Sequence, residues 1–439
     1  MPASPSLLIV PARFKTGKLY TQIATTSAGV VLGSSGDFNV TRGTTATRFN
    51  SAGLIESVAS GVPRLDYYTS GGTAGCPALL VEPSAQNGAP NVQYLRGVDT
   101  PAVSGGLTIT TGSTDFLAPD GTSASITKYV GGAASGSTQY AYYTGFSPTT
   151  SASGVYTASL FVKAGATNPI NFCALQFINF AGASGTATSY FSLASGTALT
   201  SGATIQNYGN GWYRIISAPY TIAAGDLSGN VFFSLAEANN DINWPASGAL
   251  NLTAYAWGAQ IEAGSIATSY IPTTTAAVTR NADVISLSGA VSGCIGQTEG
   301  TIYAEVDLRN TSSGKRLFLL SDGTANNEIR VTSSATNAGD LQFAVRLAGT
   351  LILNAFSPTN VYSNGIFKIA AVYKSTDYAL YVNGLQVLTS NAAGNIPACN
   401  RVDIGSQLGT SNFLNDRIRS LAIYTTRLTN AELAALTTL

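Results

Sequence analysis

Along much of the chain apolar and polar residues alternate one for one, the pattern of a strand with one covered face. Tyr156, Ala158, Leu160 and Val162 alternate with Thr157, Ser159, Phe161 and Lys163, which assigns the first set to a core and the second to the outside. Ile302, Ala304, Val306 and Leu308 alternate with Tyr303, Glu305 and Asp307, and Leu341, Phe343, Val345 and Leu347 form a similar set. Residues 254–261 (Ala-Tyr-Ala-Trp-Gly-Ala-Gln-Ile) read as a buried strand in which Gly258 lets a neighbouring backbone approach. Turn dipeptides punctuate these runs. Asp120-Gly121 and Asn210-Gly211 are two, and Asn383-Gly384, set between two apolar runs, is a strong hairpin signal. One helix is predicted at the C-terminal end, where Thr429 caps it, Glu432 completes a capping box, and Leu433 and Leu436 face the protein.

The pattern divides the chain in three. Residues 1–106 are turn-rich, with Gly71-Gly72 and Asn87-Gly88, and have few long alternating runs. The predicted architecture is all-β: an N-terminal irregular β attachment region over 1–106, then two antiparallel jelly-roll β-sandwiches over 107–282 and 283–439. The first region shows no closed core of its own and is expected to complete one against other copies or other proteins.

Composition narrows the function. Only 10% of residues are charged, so polarity rests on Ser, Thr, Asn and Gly, as suits short strands and tight turns. Lys+Arg and Asp+Glu are both 22, which leaves no basic field to neutralise phosphates and argues against a nucleic-acid partner. A neutral surface also permits copies to assemble, as a homotrimer or homodimer. The chain has no histidine, which removes Ser-His and Cys-His nucleophiles and histidine metal sites. Cys76, Cys173, Cys294 and Cys399 lack metal-type spacing and are expected as buried free thiols. No signal peptide and no membrane insertion are expected, because no basic region precedes the short apolar run 7–10 and no run is long enough to span a bilayer. No cofactor is called for.

Candidate chemistry is sparse. Sugars are held by flat aromatic rings beside side-chain amides and carboxylates. Trp244, in the polar stretch 237–245 with Asn240 and Asp241, is the best platform, and Tyr142 and Tyr143, with Tyr140, form a second. The alternative for Trp244 is packing over a sandwich edge, and for the tyrosines a subunit contact. Trp212 and Trp257 lie in strand-like runs and are assigned to cores. Asp241, Asp322 and Asp403 stand near turns, where capping is a better fit than calcium. Glu305 and Asp307 share a strand face, in a setting similar to the catalytic strand of concanavalin A-like laminarinases. Asn310 stands where that pattern needs a second Glu, so no enzyme is expected.

Residues 118–122, 154–165, 191–197 with 209–214, and 257–264 with 268–273 and 278–280 resemble, in order and spacing, the carbohydrate-binding-module-like domain of phage head spike and fibre proteins. The family usually opens with a tryptophan-bearing strand, where this chain has Gln93-Tyr94-Leu95. The hairpin at 381–384 and the ending 417–424, with Leu428 and Glu432, resemble a concanavalin A-like, laminin-G-type domain; residues 5–13 and 37–42 look like the start of such phage proteins. The resemblance implies a head or tail fibre or spike, made in the host cytoplasm and carried outside the virion. It would be joined to other virion proteins through 1–106 and display modules for weak adhesion to host-surface or environmental glycans; the alternatives are a purely structural spike with no ligand and a polysaccharide depolymerase.

Overall fold

The structure is a computed structural model, and it describes residues 4–11, 14–20, 22–23, 37–89, 107–132, 140–146, 153–178, 180, 182–226, 228–242, 251–289, 293–309, 314–334 and 339–439. The described residues are nearly all β, with antiparallel sheets and one short α-helix. No helix among them is long and apolar enough to cross a membrane.

The middle sandwich packs a seven-stranded sheet, centred on Gly154–Ala164 and Thr253–Ala263, against a five-stranded sheet centred on Gly229–Ala236 and Phe172–Ile178. Its core gathers Leu160, Val162, Cys173, Leu175, Phe191, Trp212, Val231, Phe233 and Trp257. Both tryptophans are therefore core residues, and Trp212 donates Nε1–H to the carbonyl of Leu117 at 3.0 Å. Gly258 sits at φ 63, where the pairing of 154–164 with 253–263 shifts register between Ser159 and Phe161. A Cβ there would lie 3.1 Å from the Phe161 ring and 3.2 Å from the Tyr270 ring, so Gly258 makes room for two aromatic side chains rather than for the neighbouring backbone expected from sequence.

The alternation at 156–163 needs correcting. Thr157, Ser159 and Phe161, assigned to the outside, are as buried as Ala158, Leu160 and Val162. The reason is a further layer. Tyr208 and Tyr270 pack edge-on against Phe161, and Phe49 and Tyr68 from the N-terminal segment pack on Tyr208.

The C-terminal sandwich contains two nine-stranded sheets, and here the N-terminal segment departs from expectation. Leu7–Ile9 pairs with Asp416–Tyr424, as does Ala74–Val81, while Phe38–Thr41 pairs with Val284–Ser288. Leu7, Ile9, Phe38, Val40, Leu79 and Val81 join one core with Ile302, Val306, Phe318, Val331, Phe343 and Ile418. Residues 1–106 were expected to find their core in other chains. The described part of that segment instead finds it in this one, because its strands extend the C-terminal sheets by pairing with Asp416–Tyr424 and Val284–Ser288, which would otherwise present open edges.

Local signals held in this half. Asn383 and Gly384 take φ 47 and φ 83, the left-handed pair that a type I′ hairpin turn requires. Thr429 and Glu432 form the reciprocal capping box of the helix Asn430–Thr437, and Leu433 and Leu436 pack it on the sheet. The thiol expectation held for three residues. Cys173, Cys294 and Cys399 are buried and free, whereas Cys76 is free but exposed, in the first half of the strand Ala74–Val81.

Candidate functional site

The aromatic site expected near 240 is only partly visible. Trp244 lies outside the described residues. Asn240 and Asp241 close the turn after Gly229–Ala236. Glu237 N–H donates to the Asp241 carbonyl at 3.1 Å, and Asn240 adopts φ 61, which asparagine tolerates. Tyr142 and Tyr143 pair in register with Phe232 and Val231; their side chains, like that of Tyr140, lie outside the described residues.

Asp322 caps its own turn, accepting from the Thr324 N–H at 2.8 Å and the Asn327 side chain at 2.7 Å. Asp403 does not cap a turn. It is fully buried on a strand, where Arg401 donates to both its oxygens at 2.7 Å. Glu305 and Asp307 share a face, but it is not a free solvent face. Arg419 donates to Glu305 at 2.7 Å, and Arg309 to the buried Asp307 at 2.6 Å. Each carboxylate is thus engaged by an arginine of its own rather than paired with the other across an open site.

The side chains that do converge come from all three segments. A cleft of about 210 Å³ opens where the hairpin Ala46–Phe49/Ile55–Val58, the middle sandwich and the C-terminal sandwich meet. Its mouth carries Gly202, Thr204 and Ser265, all exposed. Farther in stand Gln206, Tyr208, Arg48, Arg214, Arg309 and Arg417, with Asp66 and Glu82. Tyr208 and Tyr68 lie 4.8 Å apart between ring centroids, and the guanidinium groups of Arg309 and Arg417 lie over Tyr68 at 4.8 and 5.2 Å. Arg214 is fixed by donation to the Thr268 carbonyl at 2.7 Å and Ser159 Oγ at 2.9 Å. Burial alone would lower the pKa of Arg417, but Asp66 at 2.7 Å outweighs it and holds the group above its usual value. Burial raises Tyr208, which keeps the phenol neutral. The walls are thus flat rings and planar hydrogen-bonding groups, already oriented.

A buried ionic knot behind the cleft holds the segments together. Arg64, fully buried, donates to Glu82 at 2.7 Å, to Ser269 Oγ at 2.7 Å and to Asp283. Arg280 pairs with Glu82 at 2.9 Å, and Arg42 with Asp283 at 2.8 Å. Glu82 also accepts from the Ser269 N–H at 2.7 Å. Sequence reasoning missed cleft and knot alike because their residues are scattered from 42 to 417 and form no local motif. The one available signal was the preference for arginine over lysine, 15 of the 22 basic residues, in a chain poor in charge.

This architecture defines a concanavalin A-like jelly-roll domain. Residues 279–434 match the family described as the concanavalin A-like lectin/glucanases superfamily, of laminin-G type. No curated protein matches the chain. Among solved structures, the chain is similar to the carbohydrate-binding module CBM40 of the Ruminococcus gnavus IT-sialidase, at 18% identity and TM-score 0.30, over 34% of this chain and 87% of that one. It is also similar to domain 4 of the Geobacillus stearothermophilus arabinanase AbnA in complex with arabinotriose, at 14% identity and TM-score 0.31, over 40% of this chain and 82% of that one. A third is the heptameric SAP-like pentraxin of Limulus polyphemus, at 16% identity and TM-score 0.24, over 31% and 68%.

Proposed function

We propose that this chain is a non-enzymatic carbohydrate-binding protein whose saccharide sits in the cleft between the two sandwiches. The observation that carries the reading is the combination of Tyr208 with Gln206, Arg48 and Arg214 around one preformed opening. Rings stack on the apolar faces of sugars and planar polar groups bond their hydroxyls, and a site fixed in advance loses little entropy on binding. The binding-only reading is supported by the lack of histidine and by the arginine-engaged state of Glu305 and Asp307. A setting outside a phage particle, as a homotrimer or homodimer, is supported by the sequence resemblance alone; weak sites would then gain through avidity.

The test is a glycan array followed by calorimetry with the best neutral oligosaccharide. Thr204→Arg, which plugs the exposed mouth, and Gln206→Ala should each weaken binding roughly tenfold or more, the scale of one or two lost polar contacts, with melting temperatures unchanged. Undiminished binding by Thr204→Arg would exclude the cleft. Release of soluble oligosaccharide would overturn the binding-only reading.

A further inference from the structure

The C-terminal sandwich carries a second concentration of charge, on a face that plays no part in the cleft. Along Glu328–Ser333 the core takes Ile329 and Val331, so Glu328, Arg330 and Thr332 point to the opposite face. Arg316 stands opposite Thr332, and Arg346 opposite Glu328, in the adjoining strands. Three arginines thus gather on one patch, and the loop residue Gln407 closes over it, donating to Glu328 at 3.0 Å.

The charges in this patch do not balance. Glu328 is the carboxylate that both Arg330 and Arg346 face. Arg316, only 6% exposed, donates to two neutral oxygens, of Thr332 and Gln407, and has no ion-pair partner among the described residues. The neighbouring Asp403 is already taken by Arg401. In sequence, the stretches 310–313 and 335–338, which lie outside the described residues, contain no acidic residue. The Nε atoms of Arg316 and Arg330 are buried without a hydrogen-bond partner. Burial and the repulsion of Arg330 and Arg346 push Arg316 down to about 9, and burial with Arg346 pushes Arg330 down to about 10. Both stay cationic at neutral pH. Burying positive charge without an equal negative charge is costly, and replacing it by packed apolar side chains would cost less. The cluster is net positive and reaches solvent through Arg346 and Gln407, which are half-exposed at its rim.

We propose that this face is a second binding site, which takes the oxyanion of an acidic saccharide, a carboxylate or a sulfate, against Arg316, Arg330 and Arg346. The guanidinium fork is matched to such groups in geometry as well as charge. The saccharide part of this assignment rests on the carbohydrate-binding reading; the oxyanion part does not.

Calorimetry on the full chain tests it with four probes: a glucuronate-containing tetrasaccharide, a sulfated dextran oligosaccharide, the neutral dextran oligosaccharide and inorganic sulfate. At least one acidic saccharide should bind, more weakly as salt rises. Arg346→Gln, at the rim where folding is not at stake, should weaken it roughly tenfold or more, and Arg316→Gln, which removes no ion pair among the described residues, likewise. Thr204→Arg should leave acidic binding intact, which separates this site from the cleft. Equal acidic binding by wild type and Arg346→Gln would overturn the proposal, as would binding of inorganic sulfate alone. A marked drop in melting temperature for Arg316→Gln, with no acidic ligand bound by wild type, would show the cluster to be structural. Loss of neutral binding alone would count against the cleft and leave this site standing.

Discussion

Glu82 is the residue on which the junction should be tested. It is 4% exposed and accepts from Arg64 at 2.7 Å and from the Ser269 N–H and Oγ–H, both at 2.7 Å, while Arg280 lies 2.9 Å away. Glu82→Gln keeps the shape, removes the charge and turns an amide NH₂ toward donors. Arg42, Arg64 and Arg280 are then left with Asp283 as their counter-ion in the knot. Breaking a buried ionic pair from one side costs about 3–5 kcal/mol, because the partner stays buried and uncompensated. Unfolding entropy of about 2.1 cal/mol/K per residue makes about 0.9 kcal/mol/K for 439 residues unfolding as one unit, so the melting temperature should fall by about 3–5 °C. Glu56→Gln at the half-exposed Arg48–Glu56 pair is the control, with an expected cost below about 1 kcal/mol.

The pH dependence adds a second reading of the same residue. Burial alone would raise the Glu82 carboxyl, but Arg280 and Arg64 outweigh it and hold it well below the ordinary carboxylate range. A free glutamate titrates near about 4.3. The stabilisation from Glu82 is therefore complete above that pH and is lost as the pH falls toward the depressed folded value. Urea titrations from pH 7 down to pH 3 should show wild-type stability declining below about pH 4.3, and Glu82→Gln declining less steeply from its lower start. Asp416 runs the other way. Burial pushes it up to about 6 against the pull of Lys315, so the folded chain takes up a proton near there before the unfolded chain does, and this group favours folding as pH drops through that interval. A Glu82→Gln protein within about 1 kcal/mol of wild type at pH 7 would refute the reasoning, and the knot would then not be what joins the segments.

Two further outcomes follow from the same contacts. A fragment starting at residue 107 should be insoluble or expose its core to hydrophobic dyes, since it loses Phe38, Leu79 and Val81 and strands Arg280 and Asp283 without Arg64, Arg42 and Glu82; a soluble, fully folded fragment would contradict this. If the chain is carried outside a phage particle, antibodies to it should label intact purified particles in electron micrographs, and labelling only of disrupted particles would end that reading.

What the sequence determined by itself is whatever nearest neighbours decide. Asn383-Gly384 makes its hairpin because those two residues tolerate positive φ, and Thr429 with Glu432 starts a helix because the two reach each other's backbone across one turn. Gly258 was legible as a point of close approach, though by a backbone where the structure has two rings, and Trp212 and Trp257 as core residues, because each sits inside a strand whose pattern is strong. Alternation also places one face of 154–164 in a core, but a period of two says nothing about a second layer over the other face. That layer is Tyr208, Tyr270, Phe49 and Tyr68, brought from three places in the chain. The short N-terminal strands carry too few residues to show a period, and only their pairing with strands more than two hundred residues away gives them a core. The cleft, the knot around Glu82 and the unbalanced arginines at 316, 330 and 346 belong to the same class. Charges carry no periodicity that reveals their partners, so which arginine finds a carboxylate among the described residues and which does not is settled only by the tertiary structure.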